Sequence, residues 1–139
     1  MQVLVRDDRA RLPAKAGPQE VGYDLVCIQK VKHLAPIGVP LTMYDTGICV
    51  KPPEGYYVEI VPRSSIVKHG VFLANSVGII DPTYRDTLKV VLAGSPMQCP
   101  FSVCQLVLRP MPPDAPVVKV ERLDSTYRQG GFGSTGSTL

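Results

Sequence analysis

Val and Ile together supply 26 residues of this chain, against 12 Leu and 7 Ala. β-Branched side chains lose χ1 freedom in a helix and pack well on a pleated surface, so this balance favours strands. Proline and glycine then cut the strands short. The 14 Pro and 12 Gly make about 19% of the 139 residues, where ordinary usage gives roughly 12%. A helix bundle is excluded, and an all-β domain of short strands joined by forced turns is expected. Leu, Ile, Val and Phe number 41, about 29% of the chain and above the roughly 20% floor below which disorder is expected. The length suits one domain.

Apolar alternation and turn residues predict strands over residues 2–6, 23–29, 41–43, 48–50, 56–61, 71–74, 77–80, 87–92, 103–108 and 117–121. The clearest is 56–61, with Val58 and Ile60 on one face and Tyr57, Glu59 and Val61 on the other. Residues 7–20, 31–40 and 110–116 read as loops, and Pro52-Pro53-Glu54-Gly55 as a strong turn. The one helical turn falls at 64–69. Asp81-Pro82-Thr83-Tyr84 reads as a hairpin loop, with Pro82 presetting φ. From Asp124 onward Ser, Thr and Gly dominate. The chain therefore divides into a β domain over 1–123 (sandwich, barrel or jelly roll) and a flexible Gly-rich C-terminal arm over 124–139.

A net charge of +3 with no run of basic residues argues against nucleic acid as a partner. Cys27, Cys49, Cys99 and Cys104 and the two His lack metal-site spacing. Reduced thiols and an intracellular location, cytoplasmic or nuclear, are expected. The apolar start gives way at once to Arg6-Asp7-Asp8-Arg9, unlike a secretory leader. Residues 90–108 are uncharged, but Ser95, Pro96, Gln98, Pro100, Ser102 and Gln105 interrupt them. Unsatisfied polar groups are costly in lipid, so they read as two strands and a turn rather than a membrane span.

Four segments have the makings of a site. In Gly130-Gly131-Phe132-Gly133-Ser134-Thr135-Gly136 the glycines free backbone N–H groups to cradle anionic oxygens, and the lone Phe is suited to stacking on a base. The same composition also describes a plain solvated tail. Pro62-Arg63-Ser64-Ser65 sets an Arg beside hydroxyls at a strand end, which suits a phosphate and equally a surface Arg with a Ser cap. In Gly78-Ile79-Ile80-Asp81-Pro82-Thr83-Tyr84-Arg85 a carboxylate at a hairpin mouth is able to orient a water, three residues before an aromatic ring. Turn chemistry alone also explains that Asp. Gly22-Tyr23-Asp24-Leu25, by itself, says little.

In this order and spacing, the segments resemble the motifs of the trimeric dUTP pyrophosphatases (dUTPases). Gly22-Tyr23-Asp24-Leu25 is similar to the first motif, Pro62-Arg63-Ser64-Ser65 to the second, the stretch from Asn75 to Arg85 to the third, Gln105-Leu106 to the fourth, and the tail heptapeptide to the fifth. Thr46-Gly47-Ile48 and Pro53-Glu54-Gly55-Tyr56 resemble the bridge between the first two. The resemblance implies a jelly-roll-like β-barrel and a homotrimer whose active sites draw on all three chains. It implies hydrolysis of dUTP to dUMP and pyrophosphate by water attack at the α-phosphate, with Mg²⁺ carried mainly on the triphosphate. Such an activity keeps uracil out of DNA and supplies dUMP.

The same resemblance implies individual roles. Asp81 activates the water. Tyr84 lies against the deoxyribose and excludes a 2′-hydroxyl. Asn75 and the backbone around Gly78 read the uracil edge. Arg63, Ser64, Ser65 and Gln105 hold the phosphate chain, with Ser64 nearer the α–β bridge than Ser65. Phe132 stacks on uracil, Gly133, Ser134 and Thr135 hold the outer phosphates, Arg128 reaches toward the γ-phosphate, and Asp24 meets the metal through water. The sequence departs from the family pattern in three places. Arg128 stands one place later than the usual arginine; Pro100-Phe101-Ser102-Val103-Cys104 replaces a usual Gly-Asp-Arg-Ile-Ala; and Thr83 and Asp86 replace a usual acid and glycine. These mark a divergent member and admit a viral origin. The related dCTP deaminases share Asp81-Pro82 but require a glutamate about ten residues on, where Val91 stands. The remaining alternative is a non-catalytic nucleotide-binding or signalling protein on the same fold.

Overall fold

The structure, a computed structural model, describes residues 1–34 and 38–133. Ten strands follow in order: β1 (Gln2–Val5), β2 (Tyr23–Cys27), β3 (Gln29–Leu34), β4 (Leu41–Asp45), β5 (Ile48–Lys51), β6 (Tyr56–Pro62), β7 (Phe72–Leu73), β8 (Gly78–Ile80), β9 (Lys89–Ala93) and β10 (Phe101–Pro110). A single 3-10 turn, Ser64–Lys68, separates β6 from β7. The all-β expectation holds. The strands form three antiparallel sheets, ordered β1-β5, β2-β10-β6-β8 and β3-β4-β9-β7. Among the described residues no sheet closes into a barrel.

The core lies between the two four-stranded sheets. β6 buries Val58 and Ile60, as its alternation requires, and β10 adds Leu106 and Val103 from the same sheet. β9 buries Val90 and Leu92 from the other, and β5 contributes Ile48 and Val50. Each fully buried side chain of this kind contributes about 1.5–3 kcal/mol. Tyr44 of β4 has no exposed surface. Its ring meets Phe101 edge-on at 4.8 Å, and its hydroxyl accepts the Met97 N–H at 2.7 Å. A buried phenol thus has both its apolar body and its oxygen satisfied.

Four expectations need correction. Asp81-Pro82-Thr83-Tyr84, read as a hairpin loop, joins strands that do not pair: β8 pairs with β6, and β9 with β4 and β7, so the loop crosses from one four-stranded sheet to the other. Residues 31–34, read as loop, belong to β3. This edge strand pairs only with β4, exposes Lys30, Lys32 and His33, and shifts register between Lys30 and Lys32. A solvated edge carries no burial alternation to read, and edge lysines discourage pairing with other chains. Residues 117–121, read as a strand, form none: Val117 is fully exposed, Val118 and Val120 largely so, and no strand lies beside them. The pattern for half-burial is present, but a strand needs a partner. The expected strand over 103–108 is longer, running from Phe101 to Pro110 because β6 pairs with it as far as Tyr56.

Candidate active site

β10 is the axis of the site. Gln105 stands opposite Asp24 of β2 on one side and Val61 of β6 on the other. Asp24 and Gln105 therefore share a face, and with Arg63 and Ser64 they line a cleft of about 340 Å³. The loop before β2 forms its rim, contributing Gln19, Glu20 and Gly22. That loop is tied down where the Asp24 N–H donates to the Ala14 carbonyl at 2.8 Å.

Gly22 is required by packing rather than by φ. A Cβ there would overlap the Gln105 side-chain oxygen. The amide of Gln105 is fixed from its other end, since Nε2 donates to the Pro62 carbonyl at 3.0 Å. Pro62 in turn delivers the chain to Arg63, whose backbone is extended (φ −78°, ψ 152°) and whose N–H donates to the Val103 carbonyl at 2.8 Å. The 3-10 turn begins at Ser64, and buried Ile66 anchors it in the core, leaving Ser64 exposed at the cleft. Ser65 is half-buried and does not line the cleft. The Arg63 guanidinium meets Asp24 Oδ1 through Nε at 3.0 Å, and its Nη1 donates to the carbonyl and hydroxyl of Ser102 at 3.0 and 3.3 Å. Both members of the ion pair are about a third or more exposed, so the pair matters for orientation more than for stability.

The third-motif residues lie elsewhere. β8 pairs with the opposite edge of β6, Gly78 against Ile60 and Ile80 against Val58. Gly78 is buried under the Asn75 amide, and an added Cβ would press on Ile60 at 3.2 Å. In the loop between β8 and β9, the Tyr84 N–H donates to the Asp81 carbonyl at 3.0 Å, and the Tyr84 hydroxyl donates to the Thr87 carbonyl at 3.1 Å. Arg85 Nη1 braces the same turn, donating to the carbonyls of Pro82 and Tyr84 at 2.6 and 3.0 Å. Asp81 and Tyr84 are exposed. Val58, opposite Ile80, lies five residues along β6 from Arg63, about 17 Å at strand spacing.

Asp24, Arg63, Ser64 and Gln105 thus come together, while Asn75, Gly78, Asp81 and Tyr84 form a second group on another edge of the sheet. In the arm, Phe132 is fully exposed with φ 52°, and the Arg128 N–H donates to the Thr126 hydroxyl at 3.3 Å. Gly133 has φ 79°. Ser134, Thr135 and Gly136 lie outside the described residues. Sequence reasoning missed Glu20 and Gln19 on the rim and Ser102 against Arg63. The first two adjoin a motif without belonging to it, and nothing local ties Ser102 to a residue 39 positions away. Among the described residues no helix is long and apolar enough to cross a membrane.

The chain that carries this cleft, with its acid and tyrosine on a separate loop, matches known proteins over most of its length. The family model described as dUTPase matches residues 8–136. The deoxyuridine 5′-triphosphate nucleotidohydrolase of Hydrogenobaculum sp. is 37% identical over 98% of this chain and 99% of its own. That of Escherichia phage T5 is 43% identical over 68% of each chain. Among solved structures, a mutant of the Staphylococcus bacteriophage 80alpha dUTPase with dUpNHpp superimposes with a TM-score of 0.75 at 20% identity, covering 97% of both chains. A mutant dUTPase from phage phi11 of S. aureus, which coordinates a structural Mg(II) ion, gives 0.70 at 20% identity over 89% of this chain and 98% of its own. At that identity the two structures speak for the fold alone; the sequence relatives and the family match carry the rest. The chain belongs to the dUTPase family.

Proposed function

We propose that the protein hydrolyses dUTP to dUMP and pyrophosphate by water attack at the α-phosphate, in sites shared between copies of the chain. The observation that carries this reading is the presence of a compact anion cleft (Arg63, Ser64, Gln105) and a separate acid–tyrosine loop after β8 in a chain of this family.

Arg63 binds the phosphate chain through its planar fork of donors, which matches phosphate geometry. Ser64, exposed at the start of its turn, donates near the α–β bridge, with Ser65 further from the chemistry. Gln105 has one Nε2 hydrogen left after its bond to Pro62, and this hydrogen is available to a phosphate oxygen. Asp81, exposed at the end of β8, acts as the base for the attacking water, a contribution of about 10²–10⁴-fold. Tyr84, its hydroxyl tied to Thr87, offers its ring to the sugar. Asn75 and the backbone at Gly78 recognise the uracil edge. Cytosine inverts the donor and acceptor there and would leave buried groups unpaired, which is how such a pocket rejects a base strongly. The arm closes the site: Phe132 stacks on uracil, Gly133, Ser134 and Thr135 hold the outer phosphates, and Arg128 approaches the γ-phosphate.

The position opposite Ile80 lies about 17 Å along the strand path from Arg63, which sets Asp81 apart from the phosphates held by Arg63 of the same chain. A homotrimer that brings one copy's β8–β9 loop to another's cleft removes that obstacle. The donor set also fits Mg²⁺ only as a passenger. Among the described residues no group of three His, Cys, Asp or Glu converges to hold a metal, and Mg²⁺ commonly rides on substrate phosphates with one or two carboxylates and several waters. Glu20 and Asp24 are the carboxylates at the cleft. When bound, the ion neutralises charge on the triphosphate.

Pyrophosphate release from the purified protein tests the reading. Release from dUTP, with far less from dCTP, dTTP and UTP, is expected. Asp81→Asn should lower turnover by about 10²-fold or more while a non-hydrolysable dUTP analogue still binds. Wild-type protein inert toward dUTP, or an Asp81→Asn variant with normal turnover, refutes it.

A further inference from the structure

Arg63 is gripped from two directions, by Asp24 on one side and by Ser102 and Val103, which have no assigned part in the reaction, on the other. Between Phe101 and Cys104 the register of β10 against β2 shifts, and the β10–β6 ladder begins only at Cys104. Ser102 and Val103 therefore sit outside the regular pairing, and both turn their carbonyls to Arg63. Val103 takes its backbone N–H at 2.8 Å, and Ser102 takes its Nη1 at 3.0 Å, with the Ser102 hydroxyl at 3.3 Å. Irregular strand segments of this sort commonly re-aim side chains beside active sites. From the other side, Asp24 Oδ1 stands 3.0 Å from Nε. Asp24 is itself held by its backbone bond to Ala14 and its place opposite Gln105. With Nη1 donating to Ser102 and Asp24 paired by charge at the Nε side, Nη2 donates no hydrogen bond to any described residue, and the side chain lines the anion cleft.

We propose that Asp24 and Ser102 are positioning residues that lock the Arg63 guanidinium with Nη2 presented to the triphosphate, and that Asp24 acts through this arginine rather than on a metal. The proposal rests on the cleft's reading as the triphosphate site. An arginine already fixed in its bound rotamer loses less freedom when the anion arrives, and so binds it more tightly. A carboxylate placed on Nε orients the fork without occupying Nη2. The serine hydroxyl supplies a contact that an alanine at the same place lacks, while the carbonyl is present in either case. Specificity for the triphosphate over the monophosphate follows, since only the longer anion reaches Arg63 with its outer oxygens.

The test is equilibrium binding of the imido analogue of dUTP and of dUMP to the assembled protein, beside kcat and KM for dUTP. Ser102→Ala should weaken the analogue about threefold to tenfold, in keeping with loss of one charge-assisted contact, and raise KM with kcat little changed. Ser102→Thr, which keeps the hydroxyl, should stay within about twofold of wild type. Asp24→Asn should show a loss at least as large, unaltered when Mg²⁺ is raised tenfold. dUMP affinity should be the same in all three. In an Arg63→Lys background, Ser102→Ala should add no further loss, because residues acting as one unit are not additive. Equal losses for the alanine and threonine variants, full additivity with Arg63→Lys, or equal weakening of dUMP would overturn the role of Ser102. Recovery of Asp24→Asn by added Mg²⁺ would return Asp24 to the metal. A wild-type protein that fails to hydrolyse dUTP would instead remove the reading beneath the proposal.

Discussion

Two chains that are each inactive should restore activity to one another when assembled together. Asp81→Asn removes the proposed base after β8, and Arg63→Ala removes the cation of the cleft. Ile80, next to Asp81, pairs with Val58, and Arg63 lies five residues further along β6. That path along the strand is about 17 Å, which sets the Asp81 loop apart from the cleft of the same chain. If each site takes its Asp81 from one copy and its Arg63 from another, random assembly of trimers at equal ratio makes about one quarter of all sites intact, and about one third of those in the mixed trimers. The assay is co-expression of the two variants with different tags, tandem purification of mixed assemblies, and pyrophosphate release per chain. Each parent alone should be near background. Mixed assemblies no more active than the parents would refute the reasoning, because both groups would then have to serve within one chain.

Further outcomes follow from particular contacts. Gly22→Ala should destabilise the fold by about 1–3 kcal/mol through overpacking against Gln105, visible as a lower melting temperature; an unchanged melt would mean that Gln105 swings away freely. Deleting residues 130–139 should lower kcat sharply while leaving the far-UV spectrum and oligomer size intact, and unchanged kinetics would make the arm a plain tail. Burial pushes the Cys104 thiol up to about 12 and raises that of Cys27 as well. These thiols should resist alkylation in the native protein while the less buried Cys99 reacts first. The unfolded chain releases such protons near about 8.5, so this contribution to stability is flat below that pH and falls as pH climbs toward about 12. Denaturant midpoints measured across that range check it, and a rise instead of a fall would contradict the burial of these thiols.

The strands that face the core were legible because their burial alternates. β6 and β9 write their inward positions into the sequence as Val58, Ile60, Val90 and Leu92. β3 was not, because nothing on that edge is buried strongly enough to leave a period, and its lysines read as loop. The valines at 117–121 show the converse: the pattern of a strand without the neighbour that would make it one. At the site, Asp24, Arg63, Ser64 and Gln105 were found as separate signals, and their convergence is a matter of register across β2, β10 and β6. Ser102 could not be found that way, since its part depends on a local break in pairing that no periodicity encodes. Nor could the distance between Asp81 and Arg63, which is fixed by the strand order.

That strand order also bears on how the chain can change. Asp24 and Gln105 stand on β2 and β10, to one side of β6, and β8 with the loop that follows it lies to the other. β6 is hydrogen-bonded to both β10 and β8, and Arg63 directly follows its last residue. A substitution in β6 is therefore felt by both groups at once, whereas one in β2 or β8 meets its own group first. The buried Val58 and Ile60 thus hold two distant places in register with each other, although neither side chain belongs to the cleft or to the Asp81 loop.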